Sequence, residues 1–235
     1  MEQPTDRTAR PRPLLLRIGA LLVTYVLMGA VLFLAAGRID WLDAWIFLAV
    51  YFVIAAAGQA WLTRIDPALV EERWEWGRNT KAWDKWIVAS NGLLLFALLF
   101  AIGLDAGRFS WSHVPWLVRL AALLGFVPAF GLPLLASRAN TFLASTVRIQ
   151  DERGHAVVST GPYAFIRHPM YAGMILYDAC VPLLLGSWVA LAVSAVMITL
   201  VILRTALEDR TLQAELPGYR EYAERVRFRL LPGMW

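Results

Sequence analysis

The chain has 235 residues, 59% of them hydrophobic and 17% charged, with a mean hydropathy of +0.55. That is too apolar for an ordinary soluble domain, and the excess lies in long blocks, which is the composition of a polytopic membrane protein. The net charge of +4 argues for no nucleic-acid partner, because the basic residues flank the apolar blocks; the single cysteine, Cys180, excludes an internal disulfide, and three scattered histidines give no zinc spacing, so no metal is expected.

Residues 1–13 are polar and carry Pro4, Pro11 and Pro13, the pattern of a frayed tail. Apolar runs follow at about 14–36, 42–63, 87–106 and 116–136, each near the ~20 residues that cross a bilayer as helix. A fifth block, 170–203, is too long for one crossing. Pro182 and Gly186-Ser187 break it into a hairpin turning near 186, whose short first arm implies tilt or a thin local membrane. The fold class is therefore all-α, a polytopic transmembrane bundle of about six spans ending in a helical hairpin. Nineteen of the 22 Lys/Arg lie in four segments on one side of that arrangement, all but Arg38, Arg108 and Arg119. The bias places both termini in the cytosol, and Trp41, Trp45, Trp61, Trp83, Trp86, Trp116 and Trp188 mark an aromatic belt.

Two connections on the basic side are long. Asp66-Pro67 caps and starts a short helix with Leu69, Val70 and Trp74 available to lipid and Gly77 to end it, an interfacial helix. In 138–168, Thr146–Gln150 and Ala156–Ser159 flank a turn at Asp151–Gly154, which suggests a small hairpin. A loop of this length in a compact protein is usually functional. The chain divides into an N-terminal four-helix region, 1–137, and a C-terminal region, 138–235, holding the loop, the hairpin and a basic tail. That tail either covers a site or lies on anionic lipid.

The densest chemistry is Gly161-Pro-Tyr163 followed by Arg167-His-Pro-Met-Tyr171. Pro169 suits a first helical turn, which puts His168 at the N-cap. The helix N-terminus and Arg167 together could hold a carboxylate or phosphate, or simply meet lipid headgroups. Tyr171, Met174, Ile175 and Asp178 share one helical face. Asp178 lies in an apolar run and is either a functional group, or a carboxyl that is protonated or bonded to Tyr177 or a neighbouring helix. Arg204 and Glu208 are spaced as an intrahelical ion pair, or face different ligand groups. No dinucleotide fingerprint, P-loop, nucleophile elbow or HExxH occurs.

These residues resemble the isoprenylcysteine carboxyl methyltransferase family of integral membrane enzymes. The resemblance is carried by Asn140, Gln150, His155-Ala-Val-Val158, Gly161-Pro-Tyr163, Arg167–Gly173, Arg204-x-x-x-Glu208-Asp209, Tyr219-x-x-Tyr222 and Leu231-Pro232. It implies S-adenosylmethionine as cofactor in a cytosolic pocket made by Gln150, His155, Ala156, Val157, Val158, Tyr163, His168, Pro169, Met170, Tyr171 and Glu208. It also implies that Arg204 contacts and orients the acceptor as the catalytic and substrate-binding residue. The acceptor is then a lipophilic or lipid-like molecule, with membrane lipids as surroundings. The family's extra eukaryotic helices are lacking, which points to a prokaryotic inner membrane. A sterol-reductase-like enzyme using NADPH, and a transporter or lipid-binding protein, are the alternatives.

Overall fold

The computed structural model describes residues 14–74 and 80–235. The expectations for residues 1–13 and for Gly77 lie outside them. Eight α-helices follow in order: α1 (Leu14–Ala36), α2 (Leu42–Ile65), α3 (Pro67–Trp74), α4 (Ala82–Ile102), α5 (Trp116–Ala139), α6 (Pro169–Leu185), α7 (Leu191–Glu215) and α8 (Tyr219–Arg225). Five of these, α1, α2, α4, α5 and α7, are long and apolar enough to cross a membrane. The sixth, α6, has 17 residues and rises about 25 Å at ~1.5 Å per residue, short of a ~30 Å hydrocarbon core. The fold is the expected polytopic helical bundle.

Neighbours pack in a sequence that is not the chain order. α1 lies on α4, α4 on α7, α7 on α6, α6 on α5 and α5 on α2. The α5–α6 contact is the most extensive, and small residues make it possible. A Cβ at Gly173 would lie 2.5 Å from Pro133 Cδ and 2.9 Å from the Ala129 carbonyl, and one at Gly125 would lie 2.6 Å from Cys180 Sγ. The 137/138 divide falls in the last turn of α5, so the two regions share this packed helix pair. Gly186, at φ +89°, turns α6 toward α7 where the sequence places the turn.

α4 runs into a π-helical segment, Gly103–Phe109. There Asp105, fully buried, accepts from Ser112 N (2.9 Å), Ser112 Oγ (2.6 Å), Ser187 Oγ (2.5 Å) and Val189 N (3.3 Å). One carboxylate thus clamps the α4–α5 and α6–α7 connections at the end of the bundle far from the long loop.

Three expectations are corrected. Among the described residues no strand forms at 146–159. The segment is an irregular loop with a 3-10 turn, Asp151–Arg153, and Gly154 at φ +65°. Its backbone closes on itself, Arg153 N and His155 N both donating to the Gln150 carbonyl, so no ladder is left to form. α3 starts as read, with Leu69 N donating to Asp66 Oδ1 at 2.9 Å. Its Leu69 and Val70, however, are buried against Leu62 and Leu143 rather than facing lipid. Trp41 packs into the bundle core, whereas Trp45, Trp86, Trp116 and Trp188 are exposed as a belt requires.

Candidate functional site

The long loop is held as a rigid wall. Arg148 donates through Nε (3.0 Å) and Nη2 to Glu72 of α3, and through Nη1 to Glu152 (2.6 Å). Arg73 reaches back to the Leu143 carbonyl (3.1 Å) and Ser137 Oγ (2.8 Å). Thr80 and Thr146 hydroxyls pair at 2.9 Å. So α3 serves as a buttress for the loop.

This wall, the start of α6, the end of α7 and α8 enclose a narrow cleft of about 490 Å³ including its open mouth. His155, Ala156, Val157, Val158, Tyr163, His168, Met170, Tyr171 and Glu208 of the sequence-derived set line it, joined by Asn140, Leu212, Leu216, Tyr219 and Tyr222. Tyr222 Oη donates to the Tyr163 carbonyl at 2.7 Å, which fixes α8 across the cleft, so the tail covers the site. His155 lies tilted against Phe142, ring centroids 4.8 Å apart, and its burial lowers its pKa below the ordinary 6.5. Burial likewise raises the Tyr163, Tyr219 and Tyr222 phenols, so all three are protonated donors. Pro169 begins α6, leaving the first-turn N–H groups of Met170 and Tyr171 without intrahelical acceptors at the cleft.

Gln150 stands behind this wall. It is fully buried, its Nε2 donating to the Phe142 carbonyl (2.7 Å) and its Oε1 accepting from Arg153 (2.5 Å). Arg167 also differs from its reading as a free anion-binding charge. Its Nε and Nη2 clasp Asp209 at 2.8 and 3.0 Å, and Nη1 donates to the Val226 and Arg227 carbonyls at 2.7 and 2.9 Å.

Asp209 is the residue the sequence reading undervalued. Fully buried, it also receives His168 Nε2 (3.2 Å), Gln213 Nε2 (2.8 Å), Tyr219 Oη (3.2 Å) and Arg229 Nε (2.9 Å). It ties the N-terminus of α6, the end of α7, α8 and the tail around one carboxylate. Its place beside Glu208, in the charged cluster that follows the apolar run, was the available signal.

Arg204 and Glu208 do not pair with each other. Tyr171 Oη donates to Glu208 at one side. Arg204 forms a fork with Asp84 of α4, Nε–Oδ1 2.7 Å and Nη2–Oδ2 3.1 Å, and donates to the Ser145 carbonyl at 2.9 Å. Asp84 Oδ2 further accepts from Val147 N at 2.7 Å. The Arg204 guanidinium lies over the Tyr171 ring, 5.2 Å from its centroid. Arg204 faces a second, larger cavity of about 1030 Å³ including its open mouth, lined by Tyr51, Asn91, Leu95, Phe130, Met174, Tyr177, Asp178 and Met197 among others. This cavity lies between α4 and the α2–α5 pair, and the exposed Gly92 stands at its edge. Tyr171 and Arg204 thus form the partition between a polar cleft and an apolar cavity. Among the described residues no group of three His, Cys, Asp or Glu is placed to hold a metal ion.

Comparison with curated proteins gives no match. Residues 134–214 match the sequence model of the isoprenylcysteine carboxyl methyltransferase (ICMT) family. That segment runs from the end of α5 through the loop and α6 to the last turn of α7, and it contributes most of the cleft wall together with Arg204, Glu208 and Asp209. The chain is therefore a helical membrane protein whose residues 134–214, the part that builds most of the cleft, are similar to the isoprenylcysteine carboxyl methyltransferase family.

Proposed function

We propose that the protein transfers a methyl group from S-adenosylmethionine to a carboxylate of a lipophilic acceptor. The observation that supports this most is the partition: a polar cleft and a membrane-level apolar cavity meet at Tyr171 and Arg204. The cleft's donor set suits the cofactor. The free N–H groups of Met170 and Tyr171 fit a carboxylate, and Glu208 fits an ammonium or ribose hydroxyls. Val157, Leu212 and Leu216 offer apolar cover to a base, and the Tyr163, Tyr219 and Tyr222 phenols offer hydrogen bonds.

When bound, the cofactor supplies an activated methyl on a sulfonium sulfur. A carboxylate oxygen forms the new bond to that methyl carbon as the sulfur–carbon bond breaks, and no proton has to move. The chain's own contribution is position and exclusion of water. Arg204 Nη1, which makes no hydrogen bond among the described residues, is the donor left to orient the acceptor. Asp84 acts through Arg204 as its positioning residue. Gln150 and Pro169 shape the wall and the start of α6 behind the contact surface. The proposed setting is a prokaryotic inner membrane, with both termini and the cleft on the cytosolic side, as the Lys/Arg asymmetry favours.

Calorimetry on the purified protein in detergent, without added metal, tests the cofactor. S-adenosylmethionine and its demethylated product should both give binding heat, and labelled methyl should pass to an added lipophilic carboxylic acid in liposomes. Binding of NADPH with no heat from S-adenosylmethionine would replace this reading with the reductase one. Heat from neither would favour a transporter or lipid-binding protein.

A further inference from the structure

Besides the Tyr51 and Tyr177 phenols, the apolar cavity holds a carboxyl and an amide group that methyl transfer at Arg204 does not use. Asp178 is only 5% exposed and lines the cavity. Its backbone carbonyl accepts from Ser194 Oγ at 2.6 Å, but its carboxylate makes no hydrogen bond among the described residues. Asn91, on α4 across the same cavity, has a buried Oδ1 with no partner. An amide oxygen buried without a partner is costly, as is a carboxylate that faces an apolar cavity without one, and most buried polar groups in native proteins are paired. Both are acceptors, so what they lack is donors. A hydroxyl offers one N–H or O–H equivalent, whereas an amine offers two or more, and its cationic form also balances the Asp178 charge. Arg204 cannot supply that balance, because its charge is already matched by Asp84. Asp178 follows Tyr171 by seven residues on α6, a depth of about 10 Å at ~1.5 Å per residue.

We propose that the acceptor cavity is built for a lipophile carrying an amino group, which Asp178 and Asn91 bind about two helical turns below the partition. The proposal rests on the methyl-transfer reading only for the word acceptor. The amine subsite itself stands on the cavity and its two unsatisfied acceptors. It adds a specificity-determining pair: single-chain lipids of equal length are sorted by whether they bring a donor-rich nitrogen to this depth.

The test uses full-length protein in nanodiscs without cofactor. Hexadecylamine, hexadecanol and palmitate are titrated while thermal unfolding is followed. Hexadecylamine should stabilise the protein at concentrations about tenfold or more below hexadecanol, as expected for losing a charged hydrogen bond. Asp178→Asn should remove most of that preference, and Asn91→Leu should reduce it. Should Asp178→Asn fail to fold, the amine-to-alcohol ratio on the unaltered chain and on Asn91→Leu decides. Equal stabilisation by amine and alcohol, or an undiminished preference in Asp178→Asn or in Asn91→Leu, would overturn the proposal. Because no cofactor is present, a failure of S-adenosylmethionine binding would sink the methyl-transfer reading and leave this result standing.

Discussion

At the residue scale, the two neighbouring acids Glu208 and Asp209 have opposite fates. Asp209 is buried with two arginines and a histidine around it, while Glu208 lines the cleft with one tyrosine donor. Removing one side of a buried charge cluster leaves its partner uncompensated, a cost of about 3–5 kcal/mol. Asp209→Asn should therefore lower the thermal midpoint sharply in a melt in detergent. Glu208→Gln should leave the melt nearly unchanged and weaken S-adenosylmethionine binding by about 1.5–3 kcal/mol, read by calorimetry. Arg204→Leu belongs with Asp209→Asn, since it strands the fully buried Asp84. Much of the cleft wall was legible because the motif residues are dense and consecutive: His155 through Val158, then Tyr163, then His168 through Tyr171. The Arg204–Asp84 fork was not, because its members lie 120 residues apart and the i, i+4 spacing to Glu208 offered a nearer partner. The tertiary partner prevails because two parallel N–H···O bonds and a buried setting outweigh a single helical-face attraction.

At the element scale, helix limits followed from chemistry visible in the chain: Asp66-Pro67, Pro169 and Gly186 mark a start, a start and a turn. The expected hairpin at 146–159 failed because alternation of apolar residues cannot reveal that the chain's own carbonyls and Asp84 will take up its N–H groups. The π-helical end of α4 likewise has no sequence signature beyond Gly103 and Gly107, where a Cβ would meet Ala35, Ala36 and Trp41 at 2.5–2.9 Å. The α5–α6 contact is as close and bears on the cleft, because it sets the height of the Met170 and Tyr171 N–H groups. Gly173→Ala forces a methyl against Pro133 and the Ala129 carbonyl, and such overpacking costs about 1–3 kcal/mol. A melt should show that loss, with S-adenosylmethionine affinity falling as well if α6 is displaced from the cleft. Unchanged affinity in a destabilised variant would mean that α6 does not set the cleft.

For the whole molecule, the hydropathy blocks and the basic asymmetry were enough to give the spans, because both are sums over many residues and tolerate local error. Reporter fusions after Asp40, Lys81, Arg108, Gly154, Ser187 and Trp235 should alternate out, in, out, in, out, in. An outward signal at Gly154 would overturn the cytosolic placement of the cleft. The division of the interior by Tyr171 and Arg204 has a further consequence on the proposed reading. The two reactants arrive from different phases, and the two products return to different phases: a water-soluble thioether and a methylated lipid that stays in the bilayer. Neither has to wait for the other to clear its path, so binding and release need no fixed order. Methylated lipid accumulating in the leaflet would throttle turnover according to its mole fraction in the membrane, while the thioether would do so according to its concentration in the cytosol. The two brakes would act independently of one another.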